Sequence, residues 1–119
     1  MNDDQKLHFE DCRVTVDGNT WLTEKPVIDA TLKNGIVLLI LDYTKYPDNK
    51  VACNLEGYTP KGERLWVAEN PTDTPNEAYV EFLPEEDALQ NTVEVGDLAG
   101  FRCDIDINTG TLVNVVYTD

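Results

Sequence analysis

The chain has 119 residues, 41% of them apolar, which suits a single compact domain with one folded core rather than a disordered segment. Its 23 acidic residues against 9 basic ones leave a net charge of -14, a field that repels nucleic-acid phosphates and anionic lipid while attracting basic proteins and cations. No nucleic-acid partner and no membrane partner is therefore expected. Self-repulsion among so many carboxylates is expected to weaken the fold at low ionic strength.

The start, Met1 to Glu10, is polar and acidic, lacks the basic and apolar regions of a targeting segment, and reads as a flexible N-terminus ahead of one domain spanning 1–119. Beyond it, turn residues punctuate the chain at short intervals: Asp17-Gly18-Asn19, Asn34-Gly35, Tyr46-Pro47-Asp48-Asn49, Thr59-Pro60-Lys61-Gly62, Pro71 to Asn76 and Asn108-Thr109-Gly110. Between them, β-rich runs predict strands near Arg13 to Val16, Thr20 to Leu22, Val27 to Leu32, Ile36 to Tyr43 and Val51 to Leu55. Further strands are predicted at Arg64 to Ala68, Ala78 to Leu83, Thr92 to Val95, Gly100 to Ile107 and Leu112 to Tyr117. Pro84 to Gln90, with proline leading and acids in its first turn, predicts one short helical turn.

The last hairpin is the plainest element. Phe101, Cys103, Ile105 and Ile107 alternate with Arg102, Asp104, Asp106 and Asn108, so one face is buried and the other wet. Gly110 then supplies the left-handed position of a short hairpin loop. Together the elements predict an all-β, mainly antiparallel fold built from consecutive hairpins, a small sandwich or flattened barrel. An internal echo links Leu55-Glu56-Gly57-Tyr58 and Lys61 to Trp66 with Leu98-Ala99-Gly100-Phe101 and Asn108 to Val113, two hairpins of one grammar that read as blade-like sheets.

These pieces resemble a group of small, uncharacterised bacterial proteins. The resemblance rests on Val37-Leu38-Leu39 with Pro47, Asn49, Gly62-Glu63-Arg64-Leu65-Trp66, Tyr79-Val80, Gly100-Phe101, and Ile105-Asp106 with Thr109-Gly110, and it covers about three-quarters of the chain from Val14 onward. Gly-x-x-Leu-Trp and Thr-Gly hairpins also recur in β-propeller blades. The resemblance implies a fold and a genomic setting on integron cassettes and other mobile elements, and it implies no reaction. The chain departs from the pattern at Asp97-Leu98-Ala99 before Gly100-Phe101, and at an insertion, Gly57-Tyr58-Thr59-Pro60.

Most catalytic chemistries lack their residues. Serine is absent, which removes serine-nucleophile triads, and the single histidine, His8, removes two-histidine zinc motifs. His8 and Cys12 would share a face only on a helix, so a reactive dyad there is set aside for a surface terminus. Cys12, Cys53 and Cys103 form no C-x-x-C pair, which fits neither a disulfide framework nor a zinc site and suits a cytoplasmic protein. The seven glycines make no phosphate loop. Asp104-x-Asp106-x-Asn108 has the opening of a calcium loop but no closing glutamate, and reads as the wet face of a strand. The expectation is no metal, no cofactor and no enzymatic activity.

One feature remains. Between Leu65 and Phe101 stand nine carboxylates and no basic residue: Glu69, Asp73, Glu77, Glu81, Glu85, Glu86, Asp87, Glu94 and Asp97. Such a block either keeps a surface solvated or docks a basic protein, and in the second reading Glu77, Glu81, Glu85, Glu86 and Asp87 are the expected contacts. An immunity protein, inhibitor or adaptor has that character. The alternatives are a small-ligand or carbohydrate module with an aromatic cleft at Trp21, Tyr46, Trp66 and Tyr79, or a nucleic-acid mimic. Open β edges also allow a homo-oligomer.

Overall fold

The structure is a computed structural model, and it describes residues 7–47, 49–72, 77–83 and 91–117. Strands β1 (Leu7–Glu10), β2 (Arg13–Val16) and β3 (Asn19–Leu22) make a first sheet. Strands β4 (Val27–Lys33), β5 (Ile36–Leu41), β6 (Leu55–Tyr58) and β7 (Arg64–Val67) make a second. A third contains β8 (Tyr79–Phe82), β9 (Thr92–Asp97), β10 (Phe101–Asp106) and β11 (Leu112–Tyr117). Every pairing is antiparallel and joins strands adjacent in sequence, so each sheet is a simple meander.

Local chemistry dictates the tightest hairpins. Asp17-Gly18 and Asn34-Gly35 each place two consecutive residues at positive φ (50° and 87°, 51° and 78°), the backbone of a two-residue turn whose twist matches the flanking strands. Each turn fixes the register on either side: Val16 faces Asn19, and Lys33 faces Ile36.

The three sheets stack face to face, and β5 explains why. Its run Ile36–Leu41 is apolar without alternation because both of its faces are covered. Val37, Leu39 and Leu41 pack with Val14, Val16, Val27 and Tyr58 between the first and second sheets. Leu38 and Ile40 turn the other way and pack with Tyr79, Val93, Val95, Cys103, Ile105 and Ile107 between the second and third. Burying a leucine fully contributes roughly 1.5–3 kcal/mol, so β5 serves two cores at once.

Two tryptophans tie the layers. Trp21 of β3 covers Gly62 in the β6–β7 turn, and Trp66 of β7 covers Gly110 in the β10–β11 turn. Trp21 also packs its ring against Tyr58, centroids 5.7 Å apart, and Trp66 Nε1 donates to the Ile107 carbonyl at 2.8 Å. The outer strands of the first and second sheets thus each lie over a hairpin glycine of the following sheet.

The expected all-β antiparallel architecture holds, with sheets stacked as in a sandwich that has gained a layer; among the described residues no barrel closes. Three local expectations change. Leu7–Glu10 is a strand paired with β2, not a flexible lead, because the turn at Asp11, with φ 55°, returns the chain directly onto it. The strand expected at Val51 to Leu55 begins at Leu55, since 51–54 is held as a loop through Asn54. Tyr43 leaves β5 and starts a 3₁₀ turn, Tyr43–Lys45, capped by Asp42 Oδ1 accepting from Thr44 N at 2.9 Å. The helical turn expected at Pro84 to Gln90 lies outside the described residues.

Candidate functional site

Tertiary structure divides the anionic block. Glu69 accepts from the Leu112 N–H at 2.9 Å, and Glu81 projects from β8 into solvent. Glu94 on β9 lies 3.9 Å from the Arg102 guanidinium. Glu77 and Asp97 are withdrawn into the joint between the second and third sheets, 5% and 6% exposed. Burial removes Glu77 from any contact surface. Asp73, Glu85, Glu86 and Asp87 lie outside the described residues.

The exposed and half-buried acids that do converge come from the third sheet's outer face. Strand alternation that buries Val93, Val95, Cys103 and Ile105 turns Glu94, Arg102, Asp104 and Asp106 outward, and the register of β8 adds Glu81. Glu94 and Asp104 stand directly opposite each other on neighbouring strands, a like-charge pair that costs stability. Four carboxylates therefore share this face with Arg102, and Glu94 lies nearest to it. The first sheet's outer face is mixed, with His8, Glu10, Arg13, Thr15 and Thr20, and Thr15 and Thr20 share a hydroxyl hydrogen bond of 2.9 Å.

Beneath that surface sits the buried pair. Asp97 Oδ1 accepts from the N–H groups of Ala99 (3.0 Å) and Phe101 (2.9 Å), which fixes the turn into β10. Asp97 Oδ2 is buried and no N–H or hydroxyl reaches it. The Glu77 carboxyl lies against Asp97, and its Oε2 accepts from Thr72 Oγ1 at 3.0 Å. Desolvation, together with the Asp97 carboxyl, raises the Glu77 pKa above the usual carboxylate range. Nearby, burial pushes the Cys103 thiol up to about 12, and burial likewise raises the Tyr79 phenol.

The aromatic residues divide as well. Trp66 and Tyr79 are core residues, 9% and 0% exposed, and Trp21 packs between the first two sheets. Packing across layers, which no local pattern encodes, consumes them. Tyr46 borders a cavity of about 250 Å³ with Tyr43, Thr44, Pro47, Lys50, Ala52 and Leu98. The Lys25 ammonium sits 4.5 Å from the Tyr46 ring centroid. Ala52 and Leu98 join this cleft to the buried pair, because Ala52 N donates to the Glu77 carbonyl (2.9 Å) and Leu98 adjoins Asp97.

His8 lies on strand β1 and Cys12 in the turn after it, so no helix brings them onto one face. Asp104 and Asp106 occupy the wet face expected of them, Asp106 Oδ1 accepting from Asn108 N at 2.8 Å. Among the described residues no three or more His, Cys, Asp or Glu side chains group as metal ligands, and no helix is long and apolar enough to cross a membrane. Twenty residues of sequence separate Glu77 from Asp97, and no motif in the chain signalled their meeting.

Comparison with known proteins places this architecture. The chain is similar to BamB from Moraxella catarrhalis, a β-propeller protein, at a TM-score of 0.63 and 15% identity, covering 99% of this chain and 34% of that one. At that identity the likeness concerns the fold, and the three stacked sheets correspond to propeller blades. The computationally designed Ika8 protein matches at a TM-score of 0.43 and 15% identity over 92% of this chain and 48% of its own. The chain thus spans about a third and about half of these two structures. No curated protein matches it. The model of a domain of unknown function, DUF7957, matches residues 5–117, nearly the whole three-sheet stack, and the chain belongs to that family.

Proposed function

We propose that this chain is a non-enzymatic protein-interaction module, of the immunity, inhibitor or adaptor kind, that docks a basic partner on the outer face of its third sheet. The observation that carries this reading is the opposition of Glu94 and Asp104, flanked by Glu81 and Asp106, with Arg102 as the cation among them. Like charges held opposite one another cost stability in the free protein, and a lysine- or arginine-rich surface relieves that cost on binding. Glu81 is retained from the sequence reading and Glu77 is not. The setting that goes with this role is the cytoplasm of a bacterium, on a mobile element of integron-cassette type, next to a reading frame for a basic protein.

The test is affinity for a partner recovered from the native host, measured at low and high salt with wild type and with the double reversal Glu94→Lys and Asp104→Lys. Docking on this face predicts steep salt dependence and at least a tenfold loss in the reversal variant, each tenfold being about 1.4 kcal/mol. Salt-independent affinity unaffected by the reversal would remove the proposal.

A second reading is favoured by the cavity beside Tyr43 and Tyr46. Its rings, the Lys50 ammonium and the Thr44 hydroxyl make a lining suited to a small polar ligand with one apolar face. That reading predicts salt-tolerant binding lost on Tyr46→Ala and kept in the double reversal.

A further inference from the structure

We infer that Glu77 and Asp97 hold one proton between them, and that this shared proton latches the lead into β8 to the end of β9 beside the Tyr43/Tyr46 cleft, so that this corner of the third sheet tightens in acid and loosens as the proton leaves. Geometry carries the inference. Both carboxyls are more than nine-tenths buried, and Asp97 Oδ2 has no N–H or hydroxyl donor. The group lying against it is another carboxyl, which can satisfy that oxygen only as an acid, its O–H donating. With one proton the arrangement is a short acid-to-carboxylate hydrogen bond; with none it is two buried negative charges in contact.

Among the described residues no counterion is paired with the two acids; the nearest cation on the cleft they adjoin is Lys50. Tyr79 from β8 and Cys103 from β10 face the pair, and both remain neutral well above physiological pH. Ala52 and Asn54 from the middle sheet's loop carry no charge, and Thr72 donates only a hydroxyl. Among the described residues no Lys, Arg or His is ion-paired with either acid. A divalent cation is the competing occupant, but calcium takes six to eight oxygens, and the described residues supply no third carboxylate here.

The pair is placed to matter. Glu77 leads into β8, and its carbonyl holds Ala52 at the cleft wall, while Asp97 ends β9 and orders the turn whose Leu98 forms the opposite wall. Loss of the proton to solvent sets the carboxylates against each other and strains both walls together. The sign follows from the raised pKa of Glu77. Its contribution is complete below the ordinary carboxylate range and is lost as pH rises through the folded value.

Carboxyl-carbon NMR titration of the wild-type protein tests the pair directly, and melting curves across pH for wild type, Glu77→Gln and Asp97→Asn test its consequence. The expected results are a Glu77 titration displaced upward from the ordinary glutamate range, and a wild-type Tm that falls more steeply from mildly acidic to alkaline pH than either amide variant, whose N–H replaces the proton permanently. General charge repulsion is common to all three proteins and cancels in that comparison. Titration of Glu77 within the ordinary glutamate range, or parallel Tm curves, overturns the inference. So does calcium restoring alkaline stability to wild type alone, which makes the pair a cation site. If an amide variant does not fold, the wild-type titration decides.

Discussion

The Trp66 indole covers Gly110 so closely that a β-carbon there would lie 2.6 Å from Cε3. Gly110 also sits at φ +78°, where a side chain is strained on its own account. Gly110→Ala therefore combines backbone strain with overpacking and is expected to cost about 2–5 kcal/mol in urea unfolding. Gly35→Ala shares the positive φ but has open space around it, and is expected to cost only about 1–2 kcal/mol. Equal costs at the two sites would show that the tryptophan does not set the layer spacing.

Asn54 acts as a strand residue made from a side chain. Its Oδ1 accepts from Tyr79 N at 3.0 Å, and its Nδ2 donates to the carbonyls of Tyr79 and Leu41, both at 2.8 Å. Asn54→Ala leaves three buried backbone groups unpaired, at about 1–3 kcal/mol each where water cannot enter. A loss of about 3 kcal/mol or more is expected by chemical denaturation, with Asn54→Asp no better because it keeps the acceptor and loses both donations.

Cys103 and Cys53 provide a reactivity contrast. Cys103 is fully buried with its thiol pushed up to about 12, whereas Cys53 is exposed. A thiol reagent applied to the folded protein at mildly alkaline pH is expected to label Cys53 rapidly and Cys103 only on unfolding. Mass mapping of the labelled peptides checks this, and early labelling of Cys103 would mean that the joint between the last two sheets opens readily.

Alkaline stability follows from the same burial. Cys103, Tyr46, Tyr58 and Tyr79 all have folded pKa values raised, chiefly by desolvation, so the folded state binds protons that the unfolded chain has released. Their contribution is whole below about pH 8.5, the ordinary thiol value, and declines as pH rises towards and beyond the tyrosine range. Unfolding free energy measured from about pH 8.5, the ordinary thiol value, to strongly alkaline pH is expected to fall throughout that window; a flat profile would contradict the burial of these groups.

Salt acts in the opposite direction. The net charge of -14 is repulsive within one fold, and exposed repulsion is screened over a Debye length of about 10 Å at 0.1 M salt. Tm is expected to rise from low to moderate salt, by less in the Glu94→Lys and Asp104→Lys variant. Differential scanning calorimetry reads both slopes.

The strand grammar was legible because it is local. Asp17-Gly18 and Asn34-Gly35 encode their own hairpins, and the alternation from Phe101 to Asn108 encodes a half-buried strand whatever packs against it. The run Ile36–Leu41 was legible as a strand, whereas its burial on both faces came from the layers that cover it. Nothing local distinguishes Glu77 from Glu81, four residues apart in one acidic stretch; only the stacking of the third sheet on the second buries the first and exposes the other. The same holds for Trp66 and Tyr46, one consumed by the glycine of the next hairpin and the other left beside a cleft. Composition and turn chemistry alone determined an acidic stack of antiparallel hairpins. Contact between sheets decided which acids are surface, which aromatics are core and where two carboxyls meet, because burial arises between segments far apart in the chain and is written in neither of them.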